Sequence, residues 1–181
     1  MIYIIRHGET DLNKERRMQG RNGYPLNKNG IIQAENLRTK LQGIEFDLVY
    51  SSPQERAVET AQIVSGGNVI VDKRLDVFEL GEADNLKISE VKMDGLIPDV
   101  SVYKGIEDTE SFVNRVFNFM RELEHQYVES KVNILISGHR CTTGCMGAYF
   151  EGIPEDRNIL TYSSDNGDYK VYNGPKKLDT K

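Results

Sequence analysis

Four apolar residues, Ile2-Tyr3-Ile4-Ile5, run without a spacer into Arg6-His7-Gly8-Glu9-Thr10. A short apolar run with β-branched residues reads as a buried strand. In open α/β sheets, ligands bind outside the carboxyl ends of the strands, so Arg6 and His7 stand where a ligand is expected. On this stretch alone, an ordinary strand end with a solvated arginine and histidine accounts for the pattern as well.

The remainder of the chain shifts that balance. Of three histidines, His139 also follows an apolar run, Val132 to Ile136, in VNILISGHR. The third, His125, sits in a charged helical pattern (RELEHQYVE) and reads as a solvated surface residue. Another run, Phe46 to Tyr50, ends in Ser51-Ser52-Pro53 and then Arg56. Three strand ends thus deliver two histidines and two arginines. The planar fork of arginine suits phosphate, and imidazole serves as nucleophile or proton carrier near neutral pH. These residue types in this arrangement describe a phosphoryl-transfer site.

The connecting segments support an alternating α/β chain. Ile31, Ile32, Ala34, Leu37 and Leu41 are spaced as the apolar face of a helix that ends at Gly43, a crossover that makes the first two strands parallel. Ser51-Ser52-Pro53 reads as a helix start, with Ser as cap and Pro in the first turn. Ala57, Ala61 and Val64 form the buried stripe of that helix. Arg56 lies in its first turn, where the helix dipole favours anions, and Glu59 reads as solvated. Gly66-Gly67 closes the helix before a short strand, Val69 to Val71.

Leu75 to Leu80 reads as extended, with Val77 and Glu79 on one face and Asp76, Phe78 and Leu80 on the other. Residues 84–108 lack periodicity and read as an irregular excursion suited to covering a site. Phe112 to Tyr127 traces one face of a long helix, and Cys145 to Phe150 a further helix closed by Gly152. Ile159 to Tyr162 and Tyr169 to Tyr172 flank Asn166-Gly167, a hairpin signal. Residues 174–181 read as a frayed polar tail.

The 181 residues are most simply one domain, 1–181, with a proper core. A net charge of −5 argues against a nucleic-acid partner. It also means that positive charge for an anionic substrate must be concentrated locally. No run approaches the ~18 apolar residues of a membrane helix, and no signal peptide is expected because the first residues already form a strand. Cys141 and Cys145, spaced CTTGC, lack the ligand spacing of a zinc site and read as reduced thiols of a cytoplasmic protein.

At this point the chain resembles the histidine phosphatases, the phosphoglycerate mutase-like superfamily, in its phosphatase branch. The resemblance rests on RHGETDLN at 6–13, PLNKNGIIQAENL at 25–37, SSPQERAVETA at 51–61, TESF at 109–112 and LISGH at 135–139, in the family's order. It implies a three-layer α/β/α sandwich, with a mostly parallel central sheet and an antiparallel edge strand. It also implies a metal-independent phosphomonoesterase that acts on a small phosphorylated metabolite through a phosphohistidine. In that scheme His7 is the nucleophile, held by a hydrogen bond from its other ring nitrogen, with Gly8 allowing the close turn. Arg6, Arg56 and His139 surround the phosphoryl oxygens, Asn13 contacts the phosphate, and Gln19 and Gly20 border the substrate. No metal or other cofactor is implied. At least two of Arg16, Arg17 and Arg21 are expected to be solvated.

Two positions depart from the family. Arg140 follows the second histidine where Gly is usual, and is expected to add a substrate contact or point away. Val77 occupies the place of the family's acidic Glu. Glu79 is then the expected proton donor, with Glu82 second and Asp76 the least suited. A phosphoglycerate mutase is the first rival, although the family's Glu-Arg-His-Tyr-Gly stretch and lid arginine pair are missing here. The other rival is a phosphate-binding or regulatory protein that has lost catalysis.

Overall fold

A computed structural model describes residues 1–127 and 130–173; the expected frayed tail at 174–181 lies outside the described residues. In chain order the elements are β1 (Ile2–Arg6), α1 (Asp11–Lys14), α2 (Lys28–Lys40), β2 (Leu48–Ser51), α3 (Glu55–Ser65) and β3 (Ile70–Val71). After them come a small ribbon of β4 (Met93–Asp94) and β5 (Ile97–Pro98), then α4 (Thr109–Tyr127), β6 (Ile134–Gly138), α5 (Arg140–Glu151) and β7 (Tyr169–Tyr172). The main sheet runs β3-β2-β6-β1-β7. All its pairings are parallel except that of the edge strand β7 with β1.

Alternation along the strands divides the core into two layers. Ile2, Ile4, Ile134 and Ile136 pack against Phe112, Val116, Phe119, Met120 and Leu123 of α4 and Cys145 and Met146 of α5. Ile5, Val49 and Leu135 pack on the other face against Ala34 and Leu37 of α2, Leu41 beyond it, and Ala61 and Val64 of α3. The expected three-layer sandwich is therefore the observed one. No helix among the described residues is long and apolar enough to cross a membrane.

The register places the strand ends side by side. Arg6 pairs with Gly138 and Ser51 with Ser137. The next residues continue the ladder: the His7 amide donates to the Gly138 carbonyl at 3.0 Å, and the Ser52 amide to the Ser137 carbonyl at 3.0 Å. His7, Ser52 and His139 therefore leave the sheet at one level.

Several local expectations are corrected. Helix α2 starts earlier, at Lys28, with the Asn27 side chain accepting from the Gly30 amide at 2.9 Å. Ile31 and Ile32 face solvent, at 40% and 52% exposure, because the buried stripe is Gly30, Ala34 and Leu37. The N-cap position of α3 is Gln54, not a serine, and its side chain makes no capping bond; its own amide donates to Ser52 Oγ at 3.3 Å. Glu59 is tied down, its carboxylate accepting from the Leu26 amide at 2.9 Å.

The expected hairpin does not form. Ile159–Tyr162 is a 3₁₀ turn, while β7 pairs with β1 instead. The turn seats on two glycines of α5: a Cβ on Gly144 would lie 2.6 Å from the Ile159 carbonyl oxygen, and one on Gly147 would lie 2.4 Å from Tyr162 Cβ.

The 75–80 segment is not a simple extended strand either. Lys73–Leu75 is a 3₁₀ turn, Val77 and Phe78 are both buried, and Asp76 and Glu79 both reach Arg21. The cause is Arg115 on α4. Its guanidinium donates to the carbonyls of Arg74 (2.8 Å), Asp76 (2.7 Å) and Val77 (3.2 Å), and to both Glu107 carboxylate oxygens (2.7 and 2.9 Å). Captured carbonyls make no ladder, so strand alternation is lost.

Candidate active site

His7 is 3% exposed. Its Nδ1 lies 2.7 Å from the Gly8 carbonyl oxygen. A carbonyl only accepts, so the proton sits on Nδ1 and Nε2 keeps its lone pair. Burial, then the charges of Arg56 and Arg6, hold the imidazole well below its ordinary pKa, so the ring is neutral. Gly8 is required for a close approach rather than for a turn: a Cβ there would lie 2.4 Å from the Gly30 carbonyl oxygen. Its amide donates to Thr60 Oγ1 at 3.0 Å, which ties the end of β1 to α3.

The His139 ring centroid lies 5.1 Å from that of His7, at 61° between planes. His139 Nε2 is 2.7 Å from Ser52 Oγ, and burial with the nearby Arg56 charge lowers its pKa as well. His139 caps α5, so the leading amides of that helix, which have no intrahelical partner, face the same region.

Arg56 is 1% exposed. Its Nη2 donates to the Gly20 carbonyl at 3.0 Å and its Nη1 faces Gln54 Oε1 at 3.4 Å. The other end of the Gln54 amide donates to Asp76 Oδ1 at 2.9 Å. Burial pushes the Arg56 guanidinium down to about 10. Gly23 is needed beside it, since a Cβ there would sit 2.0 Å from Arg56 Nη1. Arg6 donates from Nη1 to the Ser164 carbonyl at 3.2 Å; burial, then Arg140, push it down to about 10. Arg6 Nε, Arg56 Nε and His139 Nδ1 are buried without a hydrogen-bond partner among the described residues.

The structure thus brings Arg6, His7, Arg56 and His139 into one cluster. Asn13 is linked to it through Asn166, whose Nδ2 donates to the His7 carbonyl at 3.0 Å and reaches Asn13 Oδ1 at 3.4 Å, while Asn13 Oδ1 also accepts from the Thr10 amide at 3.1 Å. Gln19 Oε1 accepts from Thr10 Oγ1 at 2.9 Å. The Gly20 amide donates to Asp84 at 2.8 Å, clamping the loop over Arg56. Arg140 is exposed and lines a groove with Arg6.

Glu79 is held by its neighbours and by Arg21 rather than by the histidines or the buried arginines. Its Oε1 accepts from the Gly81 amide at 3.2 Å, and its Oε2 is 3.4 Å from Arg21 Nε. Glu82 instead accepts from the Lys104 amide at 2.9 Å. Val77 is 4% exposed yet belongs to neither apolar layer. Arg16 and Arg21 are exposed, as expected for two of the three loop arginines, although two of the three also have acidic partners. Arg17 pairs with Glu15 at 2.7 Å, and Arg21 faces Asp76, Glu79 and Glu107 at 3.4, 3.4 and 3.9 Å.

Four supporting residues escaped the sequence reading: Ser52, Gln54, Thr60 and Asn166. Asn166 Nδ2 donates to the His7 carbonyl at 3.0 Å, and the Gly167 amide to the Arg6 carbonyl at 3.1 Å. The Asn-Gly signal was real, but the turn it marks braces the end of β1.

Comparison with known proteins gives the family and the fold. The model of the histidine phosphatase superfamily (branch 1) matches residues 2–172. The chain is 31% identical over 172 residues to an adenosylcobalamin/alpha-ribazole phosphatase of Escherichia coli K12, covering 86% of this chain and 81% of that protein. It is 28% identical over 176 residues to a putative phosphoserine phosphatase 2 of Hydrogenobacter thermophilus, covering 91% and 85%. Among solved structures, the alpha-ribazole phosphatase from Shigella flexneri superposes with a TM-score of 0.78 at 28% identity, covering 93% of this chain and 87% of that one. With the strand ends, paired histidines and buried arginines in place, the chain belongs to the histidine phosphatase superfamily, branch 1.

Proposed function

We propose that this chain is a metal-independent cytoplasmic phosphomonoesterase acting on a small phosphorylated metabolite through a phosphohistidine at His7. The observation that carries the reading is a buried, neutral His7 whose Nε2 lone pair is left free by the Nδ1 contact to Gly8, packed against His139 and within reach of the Arg56 and Arg6 charges. A neutral imidazole nucleophile beside two guanidinium groups suits a phosphoryl group, whose oxygens carry the developing charge.

The His7 Nε2 lone pair attacks phosphorus in line, the bond to the ester oxygen breaks, and a P–N bond forms. Arg6, Arg56, His139 and the leading amides of α5 hold the charge on the equatorial oxygens, with Asn13 adding a hydrogen bond. The leaving oxygen takes its proton from Glu79, whose side chain is 29% exposed beside Arg21. Water then attacks the phosphohistidine, releasing phosphate and restoring His7.

Rapid quench with labelled substrate tests the reading. An acid-labile, base-stable protein phosphate that disappears in His7→Ala is expected. Label that is acid-stable, or that survives in that variant, rules the mechanism out. Val77 favours one rival, a phosphate-binding protein without turnover; it predicts phosphate binding with no label formed.

A further inference from the structure

Arg140 occupies an unfavourable place for a cation. It is the first residue of α5, where the unpaired amides already carry partial positive charge. It also lies close enough to Arg6 to repel it and contribute to the lowered pKa of that guanidinium. Among the described residues, neither arginine nor Lys170 has a carboxylate within ion-pair distance.

The three cations line one open groove of about 450 Å³, together with Ser163, Asp165 and Asp168. Both acids are present: Asp165 partly offsets the Arg140 repulsion at Arg6, and the Asp168 carboxylate already accepts from the Tyr169 amide at 2.9 Å. Lys170 donates only a long bond, 3.4 Å, to the Thr161 carbonyl. Three cations and a helix N-terminus against two carboxylates leave the groove net positive.

We propose that this groove binds a second anionic group of the substrate, a carboxylate or a second phosphate, held by Arg140 and Lys170. Arg6 is shared between the two anions, since it also belongs to the phosphoryl site. The substrate class is then a phosphomonoester with another anion a few bonds from the ester. Such an anion relieves the repulsion between Arg6 and Arg140, so binding is strengthened where the free protein is electrostatically strained. The proposal rests on the phosphatase reading for the identity of the first anion.

Calorimetry with non-hydrolysable phosphonates tests the groove independently of turnover. Four ligands share a three-carbon tail ending in methyl, carboxylate, phosphonate or ammonium. The wild-type protein should bind the carboxylate or the bisphosphonate at least about tenfold more tightly than propylphosphonate, and whichever gains more identifies the second anion. Arg140→Gln should reduce that advantage about tenfold, Lys170→Gln should reduce it in the same direction, and Arg140→Lys should restore part of it. The corresponding phosphate esters are assayed in parallel. An advantage unchanged in both glutamine variants overturns the proposal. So does a preference for the ammonium tail, which would assign the groove to Asp165 and Asp168. Phosphonate selectivity without hydrolysis of any ester would instead overturn the phosphatase reading and leave the groove standing.

Discussion

The Nδ1 of His7 lies 2.7 Å from the carbonyl oxygen of Gly8, the very next residue. That contact sets the tautomer of the proposed nucleophile without recourse to a carboxylate. A carboxylate there would stabilise the charged ring; a neutral carbonyl orients it and leaves burial, Arg56 and Arg6 to keep it unprotonated.

This arrangement predicts a pH dependence of stability. His7 and His139 both have pKa values well below 6.5 in the folded protein. The unfolded chain therefore binds more protons as pH falls through about 6.5, and stability is lost in that direction, by up to about 1.4 kcal/mol per pH unit for each histidine. Urea unfolding at pH 7.5 and 5.5 should show the loss, and His7→Gln should shrink it. Equal losses in the variant and the wild type would mean that His7 is not buried neutral.

Ser52→Ala removes the partner of His139 Nε2. A buried ring nitrogen left unsatisfied costs about 1–3 kcal/mol, so the denaturant midpoint should fall with an unchanged m-value. Turnover should fall as well, since His139 is no longer held. Unchanged stability and rate would show that the 2.7 Å contact is dispensable.

Glu79→Gln and Glu82→Gln separate the candidate proton donors. A positioned acid is worth roughly 10²–10⁴-fold in rate on a poor leaving group. Glu79→Gln should therefore slow an alkyl phosphate strongly and an activated aryl phosphate little. Glu82→Gln should do neither, because its carboxylate is turned to the Lys104 amide. Small and equal effects of Glu79→Gln on both esters would remove it from the mechanism.

Arginines in place of metal ions predict activity that survives a chelator and is inhibited by vanadate, a mimic of the trigonal bipyramidal phosphoryl group. Activity lost in chelator and restored by a divalent ion would refute metal independence.

Much of this protein was set by local sequence. Ile2 to Ile5 and the run ending at Ile136 alternate so that Ile4 and Ile136 enter one apolar layer while Ile5 and Leu135 enter the other. Gly66, at φ +66, ends α3 where the apolar periodicity stops. The strand ends put Arg6 at the carboxyl edge of the sheet and His7 and His139 just beyond it, because residue type and a period of two are properties of the chain alone.

Tertiary structure decided which groups answer them. Ser52 and His139 are far apart in the chain, and only the Ser51–Ser137 register brings them together. Asp76 and Glu79, assigned to opposite faces by alternation, turn to the same arginine because Arg115 captures the carbonyls between them. Asn166 announced a turn, but which strand that turn would brace depended on β7 pairing with β1. In each case a long-range hydrogen bond outweighed a local preference worth no more than about 1 kcal/mol, and a one-dimensional pattern carries no record of that partner.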